Sequence, residues 1–151
     1  GLRLALGTLD TFRTTVAAAA IGMGQAAYEA SLSYAKNREM FGQNLSDFQA
    51  TQFKLADMAV SLDAARLLAH RAAWLKDSGQ ESIIKEASFA KLFGTEAATR
   101  IINEAVQIHG GAGLEKGNRV ERLYREVRAL TIYEGTSEIQ RQTIARQLLR
   151  E

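Results

Sequence analysis

The chain has 151 residues, 46% of them hydrophobic and 24% charged, and a formal net charge of +2, which fits one globular domain able to bury a sizeable core. Bases and acids are interleaved almost everywhere, so the pI of 9.1 gives no basic stripe of the kind nucleic acid needs, and no apolar run approaches the roughly 18 residues of a membrane span. The absence of cysteine excludes a disulfide framework and thiolate chemistry. Residues Gly1 to Gly7 carry neither an initiator Met nor a signal-peptide layout. The chain is therefore expected to be a piece of a longer one, and its targeting is not legible.

Proline is absent, which removes the strongest helix breaker and permits long helices. From Leu9, small or apolar residues recur at Phe12, Val16, Ala19, Met23, Ala26 and Ala30, a three-four spacing that predicts a helix of about thirty residues, about 45 Å long. Gly22, Gly24 and the block Ala17–Ala20 predict that another backbone packs closely against it. Gly22-x-Gly24-x-x-Ala27 matches a dinucleotide fingerprint only superficially, because no strand precedes it. Beyond Phe41-Gly42 lies a loop, and Ser46 with Gln49 predicts a capping box opening the second helix. Phe48, Leu55, Met58, Leu62, Ala65, Ala69 and Ala72 carry that helix to about Lys76, and Gly79 suits a left-handed cap.

A third helix runs from about Ser82, with Ala87, Ala90, Gly94, Ala97, Ile101, Ala105 and Ile108 on one stripe, and stops at Gly110-Gly111. The next loop holds four of the twelve glycines. Val120, Leu123, Tyr124 and Val127 mark a short helix, beside which Arg119, Arg122, Arg125 and Arg128 with Glu121 and Glu126 read as an ion-paired surface. A last helical run spans Thr136 to Arg150. No strand pattern is strong. The expectation is an all-α, up-and-down four-helix bundle with a short accessory helix.

Glu134-Gly135, at the joint before that last run, places a carboxylate outside a helix face while the glycine lets the backbone turn. From spacing alone, Glu134 reads as an acid favoured by the dipole of the helix it precedes. His70 and His109 stand too far apart to suggest a metal site.

The motifs Leu9-Asp10-Thr11-Phe12-Arg13, Asn37-Arg38-Glu39-Met40-Phe41-Gly42, the run from Phe48 to Met58, Gln107-Ile108-His109-Gly110-Gly111 and Ile132 to Arg141, taken together and in order, resemble the C-terminal domain of the acyl-CoA dehydrogenases. The resemblance covers essentially the whole chain. It implies a flavoenzyme that desaturates acyl-CoA thioesters, with helical and β-rich domains ahead of this one, FAD as cofactor, an electron-transfer flavoprotein as electron acceptor, and a homo-oligomer, dimer or tetramer. The fragment alone is expected to be inactive and flavin-free. Location would be cytoplasmic for a bacterial source and the mitochondrial matrix for a eukaryotic one.

The resemblance makes Glu134 the base that takes the α-proton. A carboxylate enclosed beside an apolar acyl chain is desolvated and becomes a stronger base. One branch of the family carries its base at the position of Phe12, which cannot take a proton. The resemblance also puts Asp10 and Arg13 at the substrate end of the first helix, Gly135 beside the substrate, and the Glu134 N–H on the thioester carbonyl. Arg38 would meet the FAD pyrophosphate, where a guanidinium suits phosphate oxygens, with Met40, Phe41 and Gln49 nearby. Gln107, Ile108, His109, Gly110 and Gly111 would approach FAD bound mainly in a neighbouring subunit, and Thr136, Ser137 and Glu138 would contact the adenine and phosphates. Phe41 is left between packing on flavin and closing the bundle, and His109 between the adenosine portion and solvent. Two alternatives stay open: a related oxidase that passes electrons to oxygen, and a non-catalytic helical oligomerisation module.

Overall fold

A computed structural model describes residues 2–150, and the side chains of 8–150. Helix α1 spans Leu2–Asn37, seven residues earlier than the expected start at Leu9, because nothing before Leu9 is a proline or a cap that would stop it. Two residue pairs, β1 (Glu39–Met40) and β2 (Gln43–Asn44), form a small antiparallel hairpin. The sequence did not suggest it, since two-residue strands leave no alternation to read. Its turn residues, Phe41 and Gly42, have φ of 53° and 81°, the left-handed pair that matches hairpin twist.

A 3-10 turn at Leu45–Asp47 then leads into α2 (Gln49–Asp77). The capping box expected of Ser46 and Gln49 is displaced. It joins Asn44 and Asp47, with Asp47 Oδ2 accepting from the Asn44 N–H at 3.1 Å, and α2 starts from Phe48 without a side-chain cap. Ser46 lies inside the 3-10 turn, so it cannot act as a cap. Gly79 takes the expected left-handed φ of 81° after α2 ends. Helices α3 (Ile84–His109), α4 (Arg119–Leu130) and α5 (Ser137–Leu148) complete the chain, with α3 central and packed against the other four.

The buried faces of α2 and α3 hold nearly all the residues the spacing chose: Leu55, Met58, Leu62, Ala65, Ala69 and Ala72 on one, Ala87 through Ile108 on the other. On α1 the buried face is turned by about one residue, to Val16, Ala17, Ala20, Ile21, Ala27 and Ala35, while Phe12 is 50% exposed and Ala19 is exposed. A run of four alanines gives no contrast from which a face can be chosen. Close backbone approach holds at Gly24, where a Cβ would stand 3.1 Å from Leu62 and 3.5 Å from Ala98 Cα, but not at Gly22, which faces open space. Gly94 supplies the matching approach on α3, 3.4 Å from Ala17.

On α4 the charged face is ion-paired as expected, with Arg125 Nε 2.5 Å from Glu121 and Arg122 Nε 3.9 Å from Glu126. Along α2, Phe53, Val60, Leu67 and Trp74 recur every seventh residue and stand 59–69% exposed. Among the described residues, this apolar stripe covers nothing.

Candidate active site

The segment between α4 and α5 is a tight bend. Ser137 N–H donates to Thr131 O at 3.1 Å and closes the bend; Thr136 caps α5, its hydroxyl accepting from Ile139 N–H at 3.4 Å. At its tip Glu134 and Gly135 take φ of 55° and 89°. Left-handed backbone is routine for glycine but costs a residue with a Cβ about 1–2 kcal/mol, so something must hold Glu134 there.

Two buried polar side chains do so, and the sequence reading missed both. Gln140 Nε2 donates to Glu134 O at 3.0 Å and to Gly135 O at 3.1 Å. Lys91 Nζ, from the middle of α3, donates to Gly135 O at 2.7 Å. Both residues are 0% exposed. Burial lowers the Lys91 ammonium below its ordinary range; Arg13 lowers it further, against the carboxylates of Glu134, Glu138 and Glu96. The signal was present: Lys91 stands four residues after Ala87 and three before Gly94, on the apolar stripe itself, where an amine needs a partner.

Glu134 is half-buried, its Oε2 has no hydrogen-bond partner, and among the described residues its N–H donates to no acceptor. More than two turns into α1, Arg13 and Asp10 are brought together, Nη1 to Oδ1 at 3.1 Å, with the Arg13 Nε unpartnered and buried. Burial raises the Asp10 carboxyl above the usual range, opposed by Arg13 and Lys76. Lys91 thus has Gly135 as its hydrogen-bond partner and the α1 cation Arg13 and the bend's carboxylate Glu134 as electrostatic neighbours, and Asp10 joins them through its ion pair with Arg13.

The expected cofactor residues fall into two groups. Arg38, Met40, Gln107, Ile108, His109, Gly110 and Gly111 line one cleft of about 630 Å³, with Tyr34, Thr51 and Lys54 added. The Arg38 guanidinium, with glycines that put no Cβ in the way, suits a pyrophosphate; Lys54 also reaches this cleft but is paired with Glu104, and Glu115 adds a carboxylate to the lining. His109 is buried rather than open to solvent; it stacks on Tyr34 with ring centroids 4.4 Å apart, and its Nδ1–H donates to Ala105 O at 2.7 Å. Phe41 does not close the bundle, since it is 90% exposed at the hairpin tip, and Gln49 is exposed, outside that cleft.

The second group, Thr136, Ser137 and Glu138, is at the start of α5. Here Glu138 has its carboxyl lowered by its own backbone N–H and by the Thr136 hydroxyl. Lys91, beside the bend, and Gln107, in the first cleft, are separated by about 24 Å along α3. One chain does not unite the two groups. A further cleft of about 560 Å³ between α2, α3 and α4 contains none of the expected residues, and its Lys54 and Glu104 are paired at 2.5 Å.

The family model of the acyl-CoA dehydrogenase C-terminal domain matches residues 1–149. The chain belongs to that family. Over 150 residues it is 55% identical to a probable acyl-CoA dehydrogenase, YngJ, of Bacillus subtilis, covering 99% of this chain and 39% of that protein. It is 46% identical to the caffeyl-CoA reductase-Etf complex subunit CarC of Acetobacterium woodii, over 100% of this chain and 40% of the relative. The butyryl-CoA dehydrogenase structure from Megasphaera elsdenii superposes with a TM-score of 0.96 at 41% identity, over 99% of this chain and 39% of that one. The chain therefore spans about two-fifths of the length of these relatives. Acyl-CoA dehydrogenases are in general FAD-dependent, and oligomerisation is general among them.

Proposed function

We propose that this domain supplies the base and part of the flavin site of an enzyme that desaturates acyl-CoA thioesters between the α and β carbons. The observation that carries the reading is the Glu134 carboxylate, with one buried, unpartnered oxygen on a bend that a glutamate adopts only under constraint. A buried acceptor without a partner is unfavourable in the free chain, and an arriving acidic C–H answers it.

Glu134 takes the proton from the carbon next to the thioester carbonyl and becomes a carboxylic acid, while hydride leaves the β carbon. When bound, FAD supplies the hydride acceptor that no side chain provides. The Glu134 N–H is the donor available to the thioester oxygen, where charge gathers as the proton leaves. Asp10 fixes Arg13 by their ion pair, so this cation near Lys91 keeps its place before and after proton transfer. Arg38 would hold the cofactor's pyrophosphate, with Gly110 and Gly111 admitting it closely.

The two groups of cofactor residues lie about 24 Å apart as measured along α3, so a complete site takes one from each of two copies of the chain. The stripe Phe53, Val60, Leu67 and Trp74, with its seven-residue repeat, has the spacing by which helices pair, and a second copy is its proposed cover. An electron-transfer flavoprotein is the proposed electron partner, of the class carried in CarC's name. That name also favours a second reading, in which the same residue works in reverse: protonated Glu134 gives its proton to the α carbon of an enoyl thioester while hydride arrives at the β carbon.

The test uses the protein containing this domain together with the segments its relatives carry ahead of it. Anaerobic bleaching of its flavin by a panel of acyl-CoAs, beginning with butyryl-CoA, is expected, and peroxide release in air separates an oxidase. Glu134→Gln should slow bleaching by about 10²–10⁴-fold with flavin retained. An unchanged rate would leave only the non-catalytic module.

A further inference from the structure

Lysine is rarely buried without reason, and glutamine at full burial must also account for its amide. Here two such residues, 44 and 6 positions from their targets, converge on the two carbonyls of the bend. We infer that Lys91 and Gln140 are positioning residues for the reaction: together they clamp the Glu134 and Gly135 carbonyls and so aim the Glu134 carboxylate, which rests on the reading of Glu134 as base given above.

A structural role alone does not need an amine here. Ala87, Ala90, Gly94 and Ala97, the neighbours of Lys91 on its stripe, are small and buried, and an apolar chain of the same length would fill the space. The ammonium adds a 2.7 Å bond to the carbonyl immediately after Glu134. Gln140 adds bonds to that carbonyl and to the one before it, using both hydrogens of one amide; because both partners are acceptors, the nitrogen must face the bend. The three bonds hold two successive peptides, one bond on the Glu134 carbonyl and two on the Gly135 carbonyl, and so restrain ψ of Glu134 and both backbone angles of Gly135. With those peptides held, ψ sets how the Cα substituents of Glu134, its N–H and its side chain, are turned relative to α3 and α5, and so where the carboxylate and the N–H proposed to meet the thioester oxygen are presented. Glycine at position 134 would relieve the backbone but would have no base. The clamp is what lets a carboxylate occupy a glycine-like position.

The experiment compares wild type, Glu134→Gln, Lys91→Met and Gln140→Met in the intact flavoprotein. It reads flavin content, thermal midpoint, kcat and KM with butyryl-CoA and a dye acceptor, and exchange of the butyryl-CoA α-hydrogen for deuterium in D2O. Misaiming a base by about an ångström costs up to about a hundredfold. The expected result is that Lys91→Met and Gln140→Met lose about 10- to 100-fold in kcat and in α-exchange, with KM within about threefold and flavin retained. If Lys91→Met yields no folded flavoprotein, Gln140→Met, which removes no charge, decides alone. Wild-type kcat and α-exchange in Gln140→Met, or losses confined to KM and flavin content, overturn the clamp while Glu134→Gln remains dead. If Glu134→Gln itself exchanges at the wild-type rate, the reading of the base has failed instead, and the clamp with it.

Discussion

Gly135→Ala tests how tightly the bend is specified. A Cβ at that position would stand 2.8 Å from Gln140 Nε2 and 3.3 Å from Ile139 Cγ2, the first inside contact distance. The Gln140 amide is the end of a side chain, yet it is buried and already committed to the two carbonyls, so it cannot step aside without losing them. Breaking two such bonds costs roughly 0.5–1.5 kcal/mol each. Holding alanine at φ of 89° adds about 1–2 kcal/mol. The expected loss is about 2–5 kcal/mol, which at about 1–3 kcal/mol per molar urea lowers the unfolding midpoint by about 1–2 M. Should the bend rearrange instead, amide exchange quickens at Ser137 and Gln140, whose N–H groups bond Thr131 O and Thr136 O. Gly22→Ala is the contrast: its Cβ meets nothing within 4 Å in mid-helix, and it should stabilise by about 1 kcal/mol. A Gly135→Ala protein with wild-type midpoint and wild-type exchange would refute the reasoning.

Three further outcomes are expected. Arg38→Gln in the intact protein should lower flavin content after gel filtration, because the cleft loses its guanidinium; absorbance per subunit checks it. Asp10 has its carboxyl raised from 3.8, so the folded chain binds that proton more tightly than the unfolded one. Its contribution is full below that value and is lost as pH rises through the folded one. Asp10→Asn should therefore gain on the wild type as pH climbs through that window, and a pH-independent difference in urea midpoint would contradict this. Leu67→Glu, in the centre of the exposed α2 stripe, should shift sedimentation toward smaller species without altering helical circular dichroism.

The helices were legible because the stripes of α2 and α3 contrast small or apolar residues with charged ones over many turns. On α1 the Ala17–Ala20 block erased that contrast, and the buried face was placed one residue away. Capping was legible only as a type: the residues that could cap were recognised, but the hairpin and 3-10 turn that moved the cap to Asn44 leave no periodic trace. At the site, Glu134, Arg13 and the Gln107–Gly111 segment were found through motifs. Lys91 and Gln140 were not, because a polar residue is read as surface until the partner that buries it is known, and here the partners are backbone carbonyls of an irregular bend, distant along the chain for Lys91 and within six residues for Gln140.

The distance along α3 between the bend and the Arg38 cleft has a genetic consequence. If each finished site borrows its base from one copy and its phosphate clamp from another, two alleles that are each null, Glu134→Gln and Arg38→Gln, will complement when co-expressed. A mixed pair then assembles one site that inherits both lesions and one that inherits neither.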